Sequence, residues 1–110
     1  MKHSLLIGRF QPFHDGHKTV IQTLLDQERE VCVAIMDTEL SKRNPYSYEH
    51  RQSMVKEAFP SAKVVVICVP PIDEIVYGRD VGYNIRHIKV DPKIFLVPDD
   101  VKINEYESPY

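Results

Sequence analysis

Leu5-Leu6-Ile7-Gly8-Arg9-Phe10-Gln11-Pro12-Phe13-His14-Asp15-Gly16-His17 is the stretch on which the fold turns. A short apolar strand over Lys2–Ile7 ends at Gly8, a turn-rich segment runs over Arg9–Phe13, and a helix opens at His14. That helix extends to Glu28, because Val20, Ile21, Leu24 and Leu25 recur at helical spacing and make one face apolar. Outward from it, Glu30–Met36 reads as a second strand that stops at Asp37. Residues 38–46 are polar and close on Asn44-Pro45, a loop signal. Ser47 is the N-cap of a second helix running to about Phe59, with Met54, Val55 and Ala58 on its inner face and Pro60 at its end. Val64–Val69 is a third apolar, β-branched run.

Strand, helix, strand, helix, strand is the order of a parallel α/β sheet. The strands show little polar alternation, which marks them as covered on both faces by helices. Right-handed crossovers give the strand order 3-2-1, followed by a strand from the second half of the chain. After Pro70-Pro71 a short helix is expected over Asp73–Tyr77 and one more short strand over Lys93–Val97. From Pro98 the chain is polar and acidic, so the organisation is a domain over 1–97 and a tail over 98–110.

The chain has 110 residues, the length of one small domain. Its formal net charge of −2 excludes a general nucleic-acid binder, which carries a basic excess, yet leaves room for a small anion held by local cations. Cys32 and Cys68 each lie in a strand-like run and read as reduced core residues. No apolar run approaches the ~18 residues of a membrane span, and Leu5-Leu6-Ile7 is too short for a signal-peptide core. A cytoplasmic, non-membrane location is expected. Ile94, Phe95 and Leu96 are the expected edge of a homo-oligomer.

The chemistry gathers where the first strand hands over to the first helix. In open α/β sheets ligands bind at the carboxyl ends of the strands, and a helix N-terminus suits an anion. His14 and His17 are three apart, so a helical first turn puts them on one face. Gly16 between them lets a ligand approach the backbone, and Arg9 adds a permanent cation before the turn. Taken alone, the two histidines also fit a metal pair or ordinary helix-start surface residues. The full context, with Gly8, Arg9 and Phe10 leading in, reads as a cradle for phosphate oxygens.

Gly8–His17 resembles the signature of the HxGH nucleotidyltransferase superfamily, near its nicotinamide-mononucleotide adenylyltransferase branch and related cytidylyltransferase-like proteins. Asn44-Pro45-Tyr46-Ser47-Tyr48-Glu49-His50-Arg51 is similar to that family's N-P-[FY]-x-x-x-x-R helix entry, and Tyr77–Tyr83 to a glycine-containing nucleotide loop. The resemblance covers residues 2 to about 92. It implies a Rossmann-like domain that moves a nucleotidyl group from ATP or CTP to a phosphorylated acceptor and releases pyrophosphate. Nicotinamide mononucleotide is the first acceptor it suggests, a small alcohol phosphate with CTP the second. It makes His14, His17 and Arg9 the catalytic set, with Mg²⁺ carried on the nucleotide phosphates and no metal held by the protein.

Other residues carry two readings each. Gly8, Phe10 and Gly16 line the nucleotide cradle, and Gly78, Arg79 and Asp80 either hold the nucleotide or form a simple turn. Lys42 and Arg43 either face the acceptor or are solvated charges. Asp37 either binds acceptor or caps its strand, and Arg51 either reaches the acceptor or pairs with Glu49 or another acid.

The late segment departs from the family pattern I-S-x-T-x-x-R. Asp99 stands for the Ser, Val101 for the Thr and Asn104 for the Arg in Pro98–Asn104. A carboxylate ~4 Å from a phosphate, at an effective dielectric near 20, is opposed by about 4 kcal/mol before screening. The chain is therefore either an active minimal transferase, with Lys42, Arg43 or Arg79 on the outer phosphates, or a nucleotide-binding or regulatory module that kept the cradle and lost turnover.

Overall fold

The computed structural model describes residues 2–78 and 84–90. Five elements follow in order: β1 (His3–Gly8), α1 (Asp15–Asp26), β2 (Glu30–Met36), α2 (Tyr48–Ala58) and β3 (Val64–Val69). β2 and β3 take the expected bounds, and the helices end within two residues of theirs. The strands form one parallel sheet in the order β1-β2-β3, the expected 3-2-1 read from its other end.

Register decides which residues share a face. Leu6 lies beside Val33, Val31 beside Val64, and Gly8 beside Ile35. These apolar residues join Val20, Ile21 and Leu24 of α1 and Val55 of α2 in one buried cluster, so both helices cover the same face. Two right-handed crossovers running the same way across a sheet require this. The opposite face carries Leu5, Cys32 and Val65 in one row and Ile7, Ala34 and Ile67 in the next. Leu5 is 59% exposed there, and Val65 and Ile67 are exposed with it. The expected helix cover of that face falls on none of the described elements. The expected fourth strand over 93–97, with its oligomer edge, and the tail over 98–110 lie outside the described residues.

Three expectations change. Asp73–Tyr77 is irregular rather than helical. Five residues after a Pro-Pro break bury too little to offset helix nucleation. Ala58 is exposed, and the inner face of α2 is Arg51, Met54 and Val55. Cys32 and Cys68 are both free, but Cys68 is exposed at the outer strand rather than in the core.

α1 ends without the glycine that such ends favour. Gln27 is the C-cap, the Glu28 amide donates to the Leu25 carbonyl at 3.0 Å, and the Arg29 amide donates to the Leu24 carbonyl at 3.1 Å. This is the Schellman pattern, and it holds Glu28 at φ 60. An L residue other than glycine loses about 1–2 kcal/mol in that region. Glu28→Gly is therefore expected to stabilise the fold by about 0.5–1 kcal/mol once the added freedom of the unfolded chain is set against the relieved strain. Urea denaturation measures it as a higher midpoint at unchanged slope.

Candidate active site

Parallel strands with right-handed crossovers bring all strand C-termini and both helix N-termini to one edge. Gly8, Met36 and Val69 end there, and α1 and α2 begin there. The edge is stitched by backbone: the Asp37 amide donates to the Val69 carbonyl at 2.7 Å.

His14 is not in the helix. It is the N-cap of α1, with extended backbone at φ −121 and ψ 179. Its Nδ1 accepts from the Gly16 amide at 3.1 Å, and the His17 Nδ1 accepts from the His14 amide at 3.1 Å. The His-x-Gly-His spacing is thus a capping box, with two imidazoles in the places of a hydroxyl and a carboxylate. The rings stack with centroids 3.8 Å apart and 22° between planes. Contact comes from this stacking, not from a shared helical face.

The same bonds fix the tautomers. A neutral ring nitrogen that accepts a hydrogen bond carries no proton, so both rings hold their proton on Nε2. Each Nε2–H is a donor. His17 is only 2% exposed, stacked on Phe13 at 5.7 Å and edge-on to Phe10 at 4.6 Å. His14 is half-buried, and burial lowers its pKa below the usual 6.5, against a smaller opposing pull from Asp15. With Nδ1 of each ring engaged as an acceptor, the geometry holds both imidazoles in the neutral form.

The turn that leads into the cap is strained. Phe10 sits at φ 53, and its ring is 2% exposed. Two residues that charge and turn signals did not single out correctly hold it in place. Gln11 is buried and bridges the two motifs: Nε2 donates to the Tyr46 carbonyl at 2.8 Å and to the Thr38 hydroxyl at 3.0 Å, and Oε1 accepts from the Tyr46 amide at 2.9 Å. The sequence marks Gln11 only as a polar residue between apolar neighbours. Arg51 is 0% exposed and touches no carboxylate among the described residues. Its Nη1 donates to the Arg9 and Met36 carbonyls, both at 2.7 Å, and its Nε to the Ser47 carbonyl at 3.1 Å. It neither pairs with Glu49 nor faces an acceptor from the surface.

Gly8 and Gly16 are buried and Arg9 is half-buried. Asp37, Lys42 and Arg43 are exposed on the loop after β2. The Asp37 carboxylate supports the charge of the buried Arg51 against its burial, without a direct ion pair. Gly78 is exposed, and a Cβ on it would meet nothing within 4 Å, so no close backbone approach requires glycine there. Arg79, Asp80 and the late segment with Asp99, Val101 and Asn104 lie outside the described residues. Among the described residues no three His, Cys, Asp or Glu side chains gather to hold a metal ion, and no helix is long and apolar enough to cross a membrane.

The C-terminal edge of the parallel sheet thus brings together an imidazole-capped helix and a buried arginine. The chain belongs to the cytidylyltransferase-like family, whose model matches residues 5–108. It is 35% identical over 72 residues to the nicotinamide-nucleotide adenylyltransferase of Methanocorpusculum labreanum, covering 64% of this chain and 43% of that protein. It is 44% identical over 57 residues to the nicotinamide/nicotinic acid mononucleotide adenylyltransferase of Acinetobacter baylyi, covering 50% of this chain and 30% of that protein. Among solved structures it is similar to the bifunctional NMN adenylyltransferase/ADP ribose pyrophosphatase of Francisella tularensis complexed with AMP and manganese. That likeness has a TM-score of 0.57 and 31% identity, over 64% of this chain and 23% of the other. The chain spans less than half the length of these relatives.

Two outcomes follow from the geometry. Gln11→Ala removes three hydrogen bonds and leaves the Tyr46 peptide without its partners, so it is expected to destabilise by about 1–3 kcal/mol in urea denaturation. His14 has a lowered folded-state pKa, so its contribution to stability is full above pH ~6.5 and is lost as pH falls through the folded value. His14→Asn keeps an N-cap acceptor without a titrating ring. The gap between wild-type and His14→Asn stability, measured by thermal melts from pH 8 to pH 5, is expected to change sharply only below about pH 6.5.

Proposed function

We propose that the chain transfers a nucleotidyl group from an NTP to a phosphorylated acceptor, with ATP as donor and nicotinamide mononucleotide as acceptor. The observation that carries this reading is the pair of stacked, capped imidazoles, both held as neutral Nε2–H donors at the N-terminus of α1. The names of the relatives supply the donor and acceptor. Mg²⁺ enters with the nucleotide, bound to its phosphate oxygens, and belongs to the substrate.

A phosphate oxygen of the acceptor attacks the α-phosphorus. A new P–O bond forms, the bond from the α-phosphorus to the bridging oxygen breaks, and pyrophosphate leaves with that electron pair. No protein nucleophile enters. Catalysis is alignment together with neutralisation of charge on the phosphoryl oxygens as it develops. His14, His17 and Arg9 supply that charge relief. Lys42 and Arg43, exposed on the neighbouring loop, are the cations for the acceptor or the outer phosphates, with Asp37 at the acceptor's edge.

The departure at Asp99, Val101 and Asn104 favours one other reading, a nucleotide-binding module without turnover. Pyrophosphate release from Mg–ATP with nicotinamide mononucleotide separates the two. The transferase reading expects release, and His14→Ala is expected to lower kcat by about 10²–10³ with a smaller change in ATP binding. ATP binding by calorimetry with no pyrophosphate from any phosphorylated acceptor identifies the module instead.

A further inference from the structure

We propose that Arg51 is a positioning residue of the phosphate cradle, a buried cation that holds the Arg9 carbonyl and the end of β2 and so sets where Arg9 and His14 stand. The inference rests on the phosphate-cradle reading of the site and adds a residue that acts without touching substrate.

Arg51 rises from the first turn of α2 into the junction of three segments. Its three bonds end on the Arg9 carbonyl in the β1–α1 turn, the Met36 carbonyl at the last residue of β2, and the Ser47 carbonyl at the N-cap of α2. None of these acceptors is charged. Its Nη2 is buried with no hydrogen-bond partner among the described residues. Burial lowers its pKa from the ordinary value, and Asp37 and, to a smaller extent, Glu49 oppose this without an ion pair. A guanidinium buried on neutral carbonyls, with carboxylates only at longer range, is a poor means of stabilising a fold, since a charge out of water carries a large desolvation penalty. Packing alone would be served by an apolar residue one turn before Val55.

The Arg9 peptide explains why a cation stands there. Its carbonyl leads directly into Phe10, whose φ of 53 is the strained point of the turn. Reversing the chain there is what brings Arg9 and the His14 cap back over the end of β1. A planar guanidinium can reach the Arg9 and Met36 carbonyls together while its Nε takes a third, which an ammonium cannot reproduce in that geometry. Buried, its charge also escapes screening by salt. Arg51 thus links the His-x-Gly-His motif with the Asn-Pro-Tyr motif from below, as Gln11 links them from above.

The test joins amide spectra with a double-mutant cycle. In the ¹H–¹⁵N spectrum, Arg51→Lys is expected to shift Phe10, Gln11 and Asp37 while residues at the C-terminus of α1 stay in place. With Mg–ATP and nicotinamide mononucleotide, Arg51→Lys is expected to lower kcat by about 10- to 100-fold, with a smaller rise in KM. The Arg9→Ala, Arg51→Lys double variant is expected to lose clearly less than the two single losses combined, because part of the effect of Arg51 runs through Arg9. Additive losses, unmoved Phe10 and Gln11 signals, or shifts spread over the whole sheet overturn the proposal. If Arg51→Lys does not fold, the wild-type Arg51 Nε–H signal decides. It is expected to exchange slowly and to move on adding Mg–ATP, and a fast-exchanging or unmoved signal overturns the proposal. A wild-type chain that binds no Mg–ATP refutes the nucleotide reading instead, and the Arg51→Lys shifts at Phe10 and Gln11 then decide the positioning role alone.

Discussion

The reciprocal cap on α1 is the interaction on which the site depends. A helix leaves its first amides unpaired, and any acceptor at the N-cap relieves one of them. Here the acceptors are two imidazoles. Because each gives its Nδ1 to a backbone amide, each keeps its proton on Nε2. Helix stability and donor chemistry are met by the same two bonds. The stack at 3.8 Å and the Phe10 and Phe13 rings bury His17, and burial lowers the pKa of His14. Gly16, buried between them, gives its amide to His14.

The cap would be useless if the turn before it wandered. Phe10 occupies a left-handed conformation that an L residue does not choose by itself. Its environment selects it: the ring is buried, Gln11 ties the next peptide to Tyr46, and Arg51 takes the preceding carbonyl. The strand ends and helix starts are therefore one connected edge rather than a set of separate loops. The exposed charges Lys42 and Arg43 stand on its rim, on a loop anchored at both ends, by Asp37 to Val69 and by Tyr46 to Gln11.

Much of this was legible in the residues. Apolar runs without alternation located β2 and β3 to the residue, and the helical recurrence of Val20, Ile21 and Leu24 located the core face of α1. That His14 and His17 meet was legible from their position between strand and helix. What pattern reading missed is polar burial. Arg51 and Gln11 are buried because backbone carbonyls and amides at a strand edge need partners, and hydropathy carries no signal for that. Arg51 therefore read as a contact to the acceptor or to an acid such as Glu49, and Ala58 took the inner place that Arg51 holds with Val55. His-x-Gly-His read as a shared helical face, although its three-residue spacing is equally that of a capping box.

Long-range ¹H–¹⁵N correlation of the histidine rings tests the central claim most directly. At pH 7 in the ligand-free protein, the account predicts that His14 and His17 are both neutral with the proton on Nε2 and a bare Nδ1, and that both Nε2 signals move when Mg–ATP is added. A proton on Nδ1 of either ring, or a charged imidazolium pair at that pH, would contradict it.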